Sequence, residues 1–161
     1  MMILEAVQLH EQGNLTGAAS IYKRILDKEP NNAAALNLLG VVYMQSGKPF
    51  EAISLIEKAI SVKDFDPRYY NNLGQAYSSV GRDPEALECY KKGIKVDPNF
   101  AMIYNNLGLL YLHNKKDNIK AEEYYKKSIS LNQKIPEPYN NLASLYKSLD
   151  KFDEAIDCYN N

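Results

Sequence analysis

Tryptophan is absent from the 161-residue chain, histidine and cysteine occur twice each, and neither sign of charge dominates. Each scarcity excludes something. Nineteen Lys and Arg against 20 Asp and Glu give a formal net charge of −1, which leaves no basic surplus to neutralise a phosphate backbone. Nucleic acid is therefore not an expected partner. The longest nearly apolar stretch, 33–44, contains Asn37 and falls well short of the roughly 20 residues of a membrane span. The N-terminal segment carries Glu5 within its apolar stretch and has no basic start, so it does not read as a secretory signal. The chain offers no Gly-rich phosphate loop, no metal-ligand spacing, and no grouping of Cys, His and carboxylate. No catalytic residue, metal or cofactor is expected.

What the chain has in excess is tyrosine, with 13 Tyr against 4 Phe, and position explains it. Leu39-Gly-Val-Val-Tyr43 returns as Leu73-Gly-Gln-Ala-Tyr77, Leu107-Gly-Leu-Leu-Tyr111 and Leu142-Ala-Ser-Leu-Tyr146, at spacings of 34, 34 and 35 residues. Glu51-Ala52 returns as Glu85-Ala86, Lys120-Ala121 and Glu154-Ala155 at the same spacings, and Gly17-Ala18 lies 34 residues before Ala52. Self-similarity at such a period is the mark of a repeat architecture. The order of residues is that of the tetratricopeptide repeat: aromatic at position 4, Leu-Gly at 7–8, Tyr at 11, Gly at 15, Ala at 20, aromatic at 24, Pro at 32. The chain is identified by this resemblance as a member of that family over its whole length.

In this frame the repeats are 1–32, 33–66, 67–100, 101–135 and an incomplete 136–161, one array spanning 1–161. Position 4 holds Tyr70, Tyr104 and Tyr139; position 11 holds Tyr43, Tyr77, Tyr111 and Tyr146; position 24 holds Tyr22, Tyr90, Tyr125 and Tyr159. The resemblance implies an all-α, right-handed solenoid of about five antiparallel helix pairs. Helix A is expected near positions 2–14 and helix B near 18–31. Small residues at positions 8 and 20 are expected to let the two helix backbones approach, with large residues at 4, 11 and 24 filling the spaces beside that contact. Gly at position 15 supplies the positive φ that ends helix A. Pro49 and Pro84 fall near the first turn of helix B, where a missing N–H costs little. Repeat 4 replaces the position-15 Gly with Lys115-Lys-Asp-Asn118 and inserts one residue, which predicts a longer, more mobile turn. Repeat 5 stops at position 26 with Ala155 and Tyr159 still on motif, so the chain is expected to continue past Asn161 or to have that end covered by another molecule. Self-association through exposed ends is one such possibility. Cys89 and Cys158 occupy equivalent positions two repeats apart, beyond the roughly 7 Å a disulfide spans. Two free thiols point to a reducing, cytoplasmic compartment.

Function is expected on the concave face, lined by helix-A positions 2, 5, 6, 9, 12 and 13. Position 5 reads Asn37, Asn71, Asn105 and Asn140 in repeats 2 to 5, and position 6 reads Leu38, Asn72, Asn106 and Asn141. Gln75 and Leu109 stand at position 9. Amides donate and accept together, so a row of them can hydrogen-bond an extended peptide whatever its side chains. The alternative is that they tune local packing. Pro98-Asn-Phe-Ala-Met-Ile-Tyr-Asn-Asn-Leu-Gly108 resembles the superhelical repeats of O-linked N-acetylglucosamine transferase and of bacterial glycosyltransferases carrying such repeats. That resemblance implies an asparagine ladder of Asn72, Asn106 and Asn141 that holds protein substrates, interrupted by Leu38. It keeps open a second reading, in which the chain is the substrate-selecting region of a larger glycosyltransferase. The carboxylate clamp that chaperone cofactors use for acidic tails is missing, since Arg68 alone supplies a basic position 2. The pentatricopeptide relatives that read RNA share the hairpin length, but the Gly-8, Ala-20, Pro-32 signature and the charge balance favour a protein or peptide ligand. His10 and His113 read as solvated groove residues, and the Lys91-Lys92 and Lys126-Lys127 pairs as a solvated helix-B face with i,i+4 partners.

Overall fold

Helix alternates with short turns throughout a computed structural model of the chain, which describes residues 2–114 and 116–160. Met1, Asn161 and Lys115 (the first residue of the repeat-4 turn) lie outside the described residues. Among the described residues the helices are α1 (Met2–Glu11), α2 (Leu15–Lys28), α3 (Ala33–Gln45), α4 (Pro49–Val62), α5 (Pro67–Ser79), α6 (Asp83–Val96), α7 (Ala101–His113), α8 (Asn118–Leu131), α9 (Pro136–Ser148) and α10 (Phe152–Tyr159). Odd-numbered helices are the A helices and even-numbered ones the B helices. Among the described residues the fold is all-α, as the resemblance implies. Two compact units are formed, Met1–Val96 with α1 to α6 and Asp97–Asn161 with α7 to α10. In the first unit each helix packs on the next, and α3 also touches α5. In the second, α7 packs on α8, α8 on α9, α9 on α10, and α7 also touches α9.

Local chemistry sets the ends of these helices. Asn14, Asn32 and Asp117 each accept a hydrogen bond from a backbone N–H three residues on, the side-chain cap that such residues supply best. Pro49 and Pro67 open α4 and α5 at a position with no helical N–H to lose. Gly13, Gly47 and Gly81 carry φ of 78°, 73° and 74°, the left-handed turn that ends α1, α3 and α5. The carbonyl of the position-11 tyrosine closes that turn: Tyr43 O accepts from Lys48 N at 2.8 Å and Tyr77 O from Arg82 N at 2.9 Å. Repeat 4 keeps the same closure with one residue more, because Tyr111 O accepts from Asp117 N at 2.9 Å. Lys116 then takes the positive φ, at 52°, and Asp150 takes it in repeat 5, at 58°. The inserted residue therefore lengthens the turn, as expected, without changing what closes it.

The contact between helices A and B differs from expectation in one respect. Position 8 is small mainly to admit the position-24 side chain of the same repeat. A methyl placed on Gly108 would lie 2.5 Å from Cε1 of Tyr125, and one on Gly40 would lie 2.6 Å from Cγ1 of Ile56; at Gly74 it would strike the ring of Tyr90. Tyr22, Tyr90, Tyr125 and Ile56 are accordingly among the largest fully buried side chains. Ala18, Ala52, Ala86 and Ala121 at position 20 are completely buried beside them. Backbone approach contributes as well, since the Ala52 carbonyl oxygen would be 3.3 Å from that methyl on Gly40. Around the first pair the core gathers Ala6, Ile21, Tyr22 and Ile25 with Ala35, Leu39 and Val42 of α3; in the second unit Ala121 and Tyr125 join Leu142, Leu145 and Tyr146.

Gly108→Ala is expected to lower stability by about 1–3 kcal/mol, the usual cost of overpacking, although Ala is the better helix former. Repeat 1 buries Tyr22 in one core cluster with Ala6 at position 8, so an alanine is tolerated there and the loss is bounded. Tyr125→Phe is expected to be neutral or to stabilise by about 1 kcal/mol, because the Tyr125 hydroxyl is buried with no hydrogen-bond partner among the described residues. Urea titration followed by circular dichroism measures both, and a loss in Gly108→Ala with no loss in Tyr125→Phe is the diagnostic result.

Candidate peptide-binding face

The asparagines at positions 5 and 6 lie on the A helices α3, α5, α7 and α9, about one turn from their N-termini. Asn37, Asn71, Asn105 and Asn106 are buried, Asn72, Asn141, Gln75 and Leu109 are half-buried, and Asn140 is exposed. Within each unit the amides meet across neighbouring A helices. Asn72 Nδ2 donates to Asn37 Oδ1 at 3.0 Å, joining α5 to α3, and Asn141 Nδ2 donates to Asn105 Oδ1 at 2.9 Å, joining α9 to α7. Asn71 Nδ2 reaches Asn72 Oδ1 at 3.4 Å. Position 6 of one repeat thus bonds position 5 of the preceding one, and each pair satisfies a carbonyl that burial would otherwise leave unmet. Capacity remains, because an amide has two N–H donors and two acceptor lone pairs.

Around these pairs the face is aliphatic and polar in patches. In the first unit Ile3, Val7, Leu38, Val41 and Met44 are half-buried and Leu4 is exposed. His10 Nε2 pairs with Gln45 Oε1 at 2.8 Å, joining α1 to α3. In the second unit Met102, Leu109 and Leu112 are half-buried, and His113, Ser144 and Lys147 are exposed. Arg68 is committed elsewhere: its guanidinium holds the α5 cap Asp66 at 2.6 Å, which draws the Asp66 carboxyl below the usual range. Among the described residues no group of three or more His, Cys, Asp or Glu side chains could hold a metal ion, and no helix is long and apolar enough to cross a membrane.

Three family models fit the sequence where these helix pairs lie. Two described as tetratricopeptide repeat match residues 9–72 and 99–161, and a third, described as TPR repeat, matches 79–115. The chain belongs to the tetratricopeptide repeat family. Tetratricopeptide repeat proteins typically mediate protein–protein interaction, and the repeat fold is generally a non-catalytic module. No curated protein matches the chain. Among solved structures, a thermophilic TPR protein of Thermus thermophilus is 25% identical with a TM-score of 0.90, over 98% of this chain and 86% of that one. MamA is 28% identical with a TM-score of 0.73, over 96% and 90% of the two chains. PilF of Pseudomonas aeruginosa is 25% identical with a TM-score of 0.83, over 99% and 72%.

The tetratricopeptide tyrosines make contacts that sequence reasoning did not anticipate. Position 11 collects charge from both sides. Lys23 and Lys48 place Nζ 5.6 and 5.7 Å from the Tyr43 ring centroid, and Lys126 and Lys151 stand 5.9 and 5.5 Å from that of Tyr146. These are cation–π distances. The signal was available, because Lys at position 25 and Lys or Arg at position 16 recur with the repeat. Lys126 also pairs with Glu122 at 2.6 Å, the expected i,i+4 geometry, whereas Lys91 pairs with Glu88 at 2.8 Å at i,i+3. Both thiols are free. Cys89 is buried and Cys158 partly so, and burial pushes the Cys89 thiol up to about 11, which makes it a poor nucleophile.

Asn72→Ala is expected to cost about 1–3 kcal/mol, because it strips the partner from the buried Asn37 carbonyl; Asn140→Ala, on an exposed side chain, is expected to leave the melting temperature unchanged. Equal melting of the two variants is the contrary result. A second expectation concerns alkali. Burial holds the Tyr125 hydroxyl up at about 12, and burial with a hydrogen bond to Glu57 does the same for Tyr77. The folded chain therefore keeps protons that the unfolded chain releases. Stability is full below the ordinary thiol and tyrosine range and falls as pH rises through 11 to 12. Urea midpoints at about pH 8 and about pH 11, the second lower than the first, check this.

Proposed function

We propose that this tetratricopeptide chain is a non-catalytic interaction module that holds an extended polypeptide segment against the A-helix face of each unit. The observation that carries the reading is the pairing of amides across adjacent A helices. Asn72 with Asn37 and Asn141 with Asn105 fix polar groups at the spacing of successive repeats, beside half-buried aliphatic side chains. An extended peptide offers backbone N–H and C=O groups at regular intervals, and orders more cheaply on a surface whose amides are already held in place. Asn140, Gln75 and the residual valences of Asn72 and Asn141 supply the polar contacts. Leu38, Val41, Met102 and Leu109 supply the apolar ones. The face is close to neutral, which favours backbone recognition over selection of a strongly charged tail.

The test separates this face from the rest of the surface. Proteins captured by the wild-type chain are identified by mass spectrometry and compared with those captured by Val41→Glu/Gln75→Glu and by Leu109→Glu/Asn140→Asp. Both variants are expected to lose the same partners at least about tenfold while melting within a few degrees of wild type. Lys58→Glu/Ser61→Glu, on exposed helix-B positions, is expected to lose none. Retention of partners by both A-helix variants refutes the reading.

A further inference from the structure

A cavity of the first unit lies away from that face. It has a volume of about 550 Å³ and opens where α4, α5 and α6 meet, with Glu57, Ile60, Tyr70, Tyr77, Pro84 and Cys89 among its walls. That size is ordinary for a ligand pocket and larger than one side chain fills. Its position in the repeat makes its electrostatics informative. In the first and last junctions of this kind, the position-11 tyrosine is attended by two cations: Lys23 and Lys48 at Tyr43, Lys126 and Lys151 at Tyr146. At Tyr77 the position-16 cation is present, with the Arg82 guanidinium 4.5 Å from the ring centroid. The other is not. Position 25 of repeat 2 is Glu57, where repeats 1, 3 and 4 carry Lys23, Lys91 and Lys126.

A charge reversal at that one place has visible consequences. Glu57 accepts a hydrogen bond from the Tyr77 hydroxyl, and among the described residues no cation pairs with its carboxylate. The neighbouring acids are already matched, Glu85 to Arg82 at 2.7 Å and Glu88 to Lys91 at 2.8 Å. Lys92 is the basic side chain on the wall. The cavity thus joins an electron-rich ring face and a carboxylate that forms no close ion pair among the described residues, with Arg82 acting on it only through space, to an apolar floor formed by Ile60, Leu73 and Pro84.

We infer that this cavity is a second recognition site, taking a Lys or Arg side chain of a partner polypeptide together with an apolar residue beside it. The partner's cation stands where repeats 1 and 4 place their own lysine, against Tyr77 and Glu57, and the apolar neighbour fills the floor. The site uses positions 4, 7 and 11 of helix A and is independent of the amide face. Binding at either can fail without the other.

The experiment uses the whole chain and an array of immobilised tripeptides with Arg or Lys at the centre and every residue on each side, beside matched arrays centred on citrulline and on Glu. Basic peptides with an aromatic or aliphatic neighbour are expected to bind, with their citrulline counterparts at least about tenfold weaker. Amide shifts in NMR spectra titrated with the best basic peptide are expected at Glu57, Tyr77 and Cys89. Glu57→Gln keeps an acceptor for the Tyr77 hydroxyl and is expected to weaken binding at least about tenfold. Glu57→Lys restores the residue found in repeats 1 and 4, so it is expected to melt no lower than wild type and to abolish binding. Absence of basic-peptide binding, equal binding of citrulline peptides, undiminished binding by Glu57→Lys, or shifts confined to Asn72, Gln75 and Val41 would each overturn the proposal.

Discussion

The docking of the position-24 side chain onto a residue without a side chain is the contact on which the rest of the structure depends. Where Gly74 faces Tyr90 and Gly108 faces Tyr125, the ring enters the space a methyl would occupy, and helix A lies close against helix B. The rings are almost wholly buried, and the hydroxyls of Tyr22 and Tyr125 find no partner among the described residues. Shape is thus satisfied ahead of hydrogen bonding, and the burial of a large aromatic face outweighs one unmet hydroxyl.

A second layer of order follows from repeating this unit. Within each unit, A helices that follow one another bring equivalent side chains together, so a favourable pair found in one unit is found again in the other. The amide pairs Asn37–Asn72 and Asn105–Asn141 and the cation-attended rings of Tyr43 and Tyr146 are two such series. A departure from a series is informative for the same reason. Glu57, set where lysine is the rule, changes what its junction can bind without disturbing the helix that carries it.

Much of this was legible in the sequence, and the remainder was not for definite reasons. The spacing of Leu-Gly-x-x-Tyr gave the helix pairs to within a residue or two, because caps, prolines and turn glycines act locally. The position-15 glycines announced their positive φ in the same way. The role of position 8 was read as backbone approach, since sequence shows that a residue is small but not which atoms take its place. The asparagines were recognised as a row facing one way. That Asn72 spends an N–H on Asn37, 35 residues earlier, depends on how far one A helix is rotated against the next. No local pattern encodes that rotation. The same holds for Tyr77 and Glu57, 20 residues apart on different helices.

The turn closure has a consequence for how such a chain changes over time and how it can be altered by design. One tyrosine carbonyl accepts from the residue five positions on in repeats 2, 3 and 5, and from the residue six on in repeat 4, with the next helix starting cleanly in both cases. The seam between the two helices therefore absorbs a change of length that would throw every later side chain out of phase if it fell inside a helix. Evolution can lengthen the chain there by single residues, and a tag, label or binding loop can be spliced in at the same place without resetting the period of the repeats that follow.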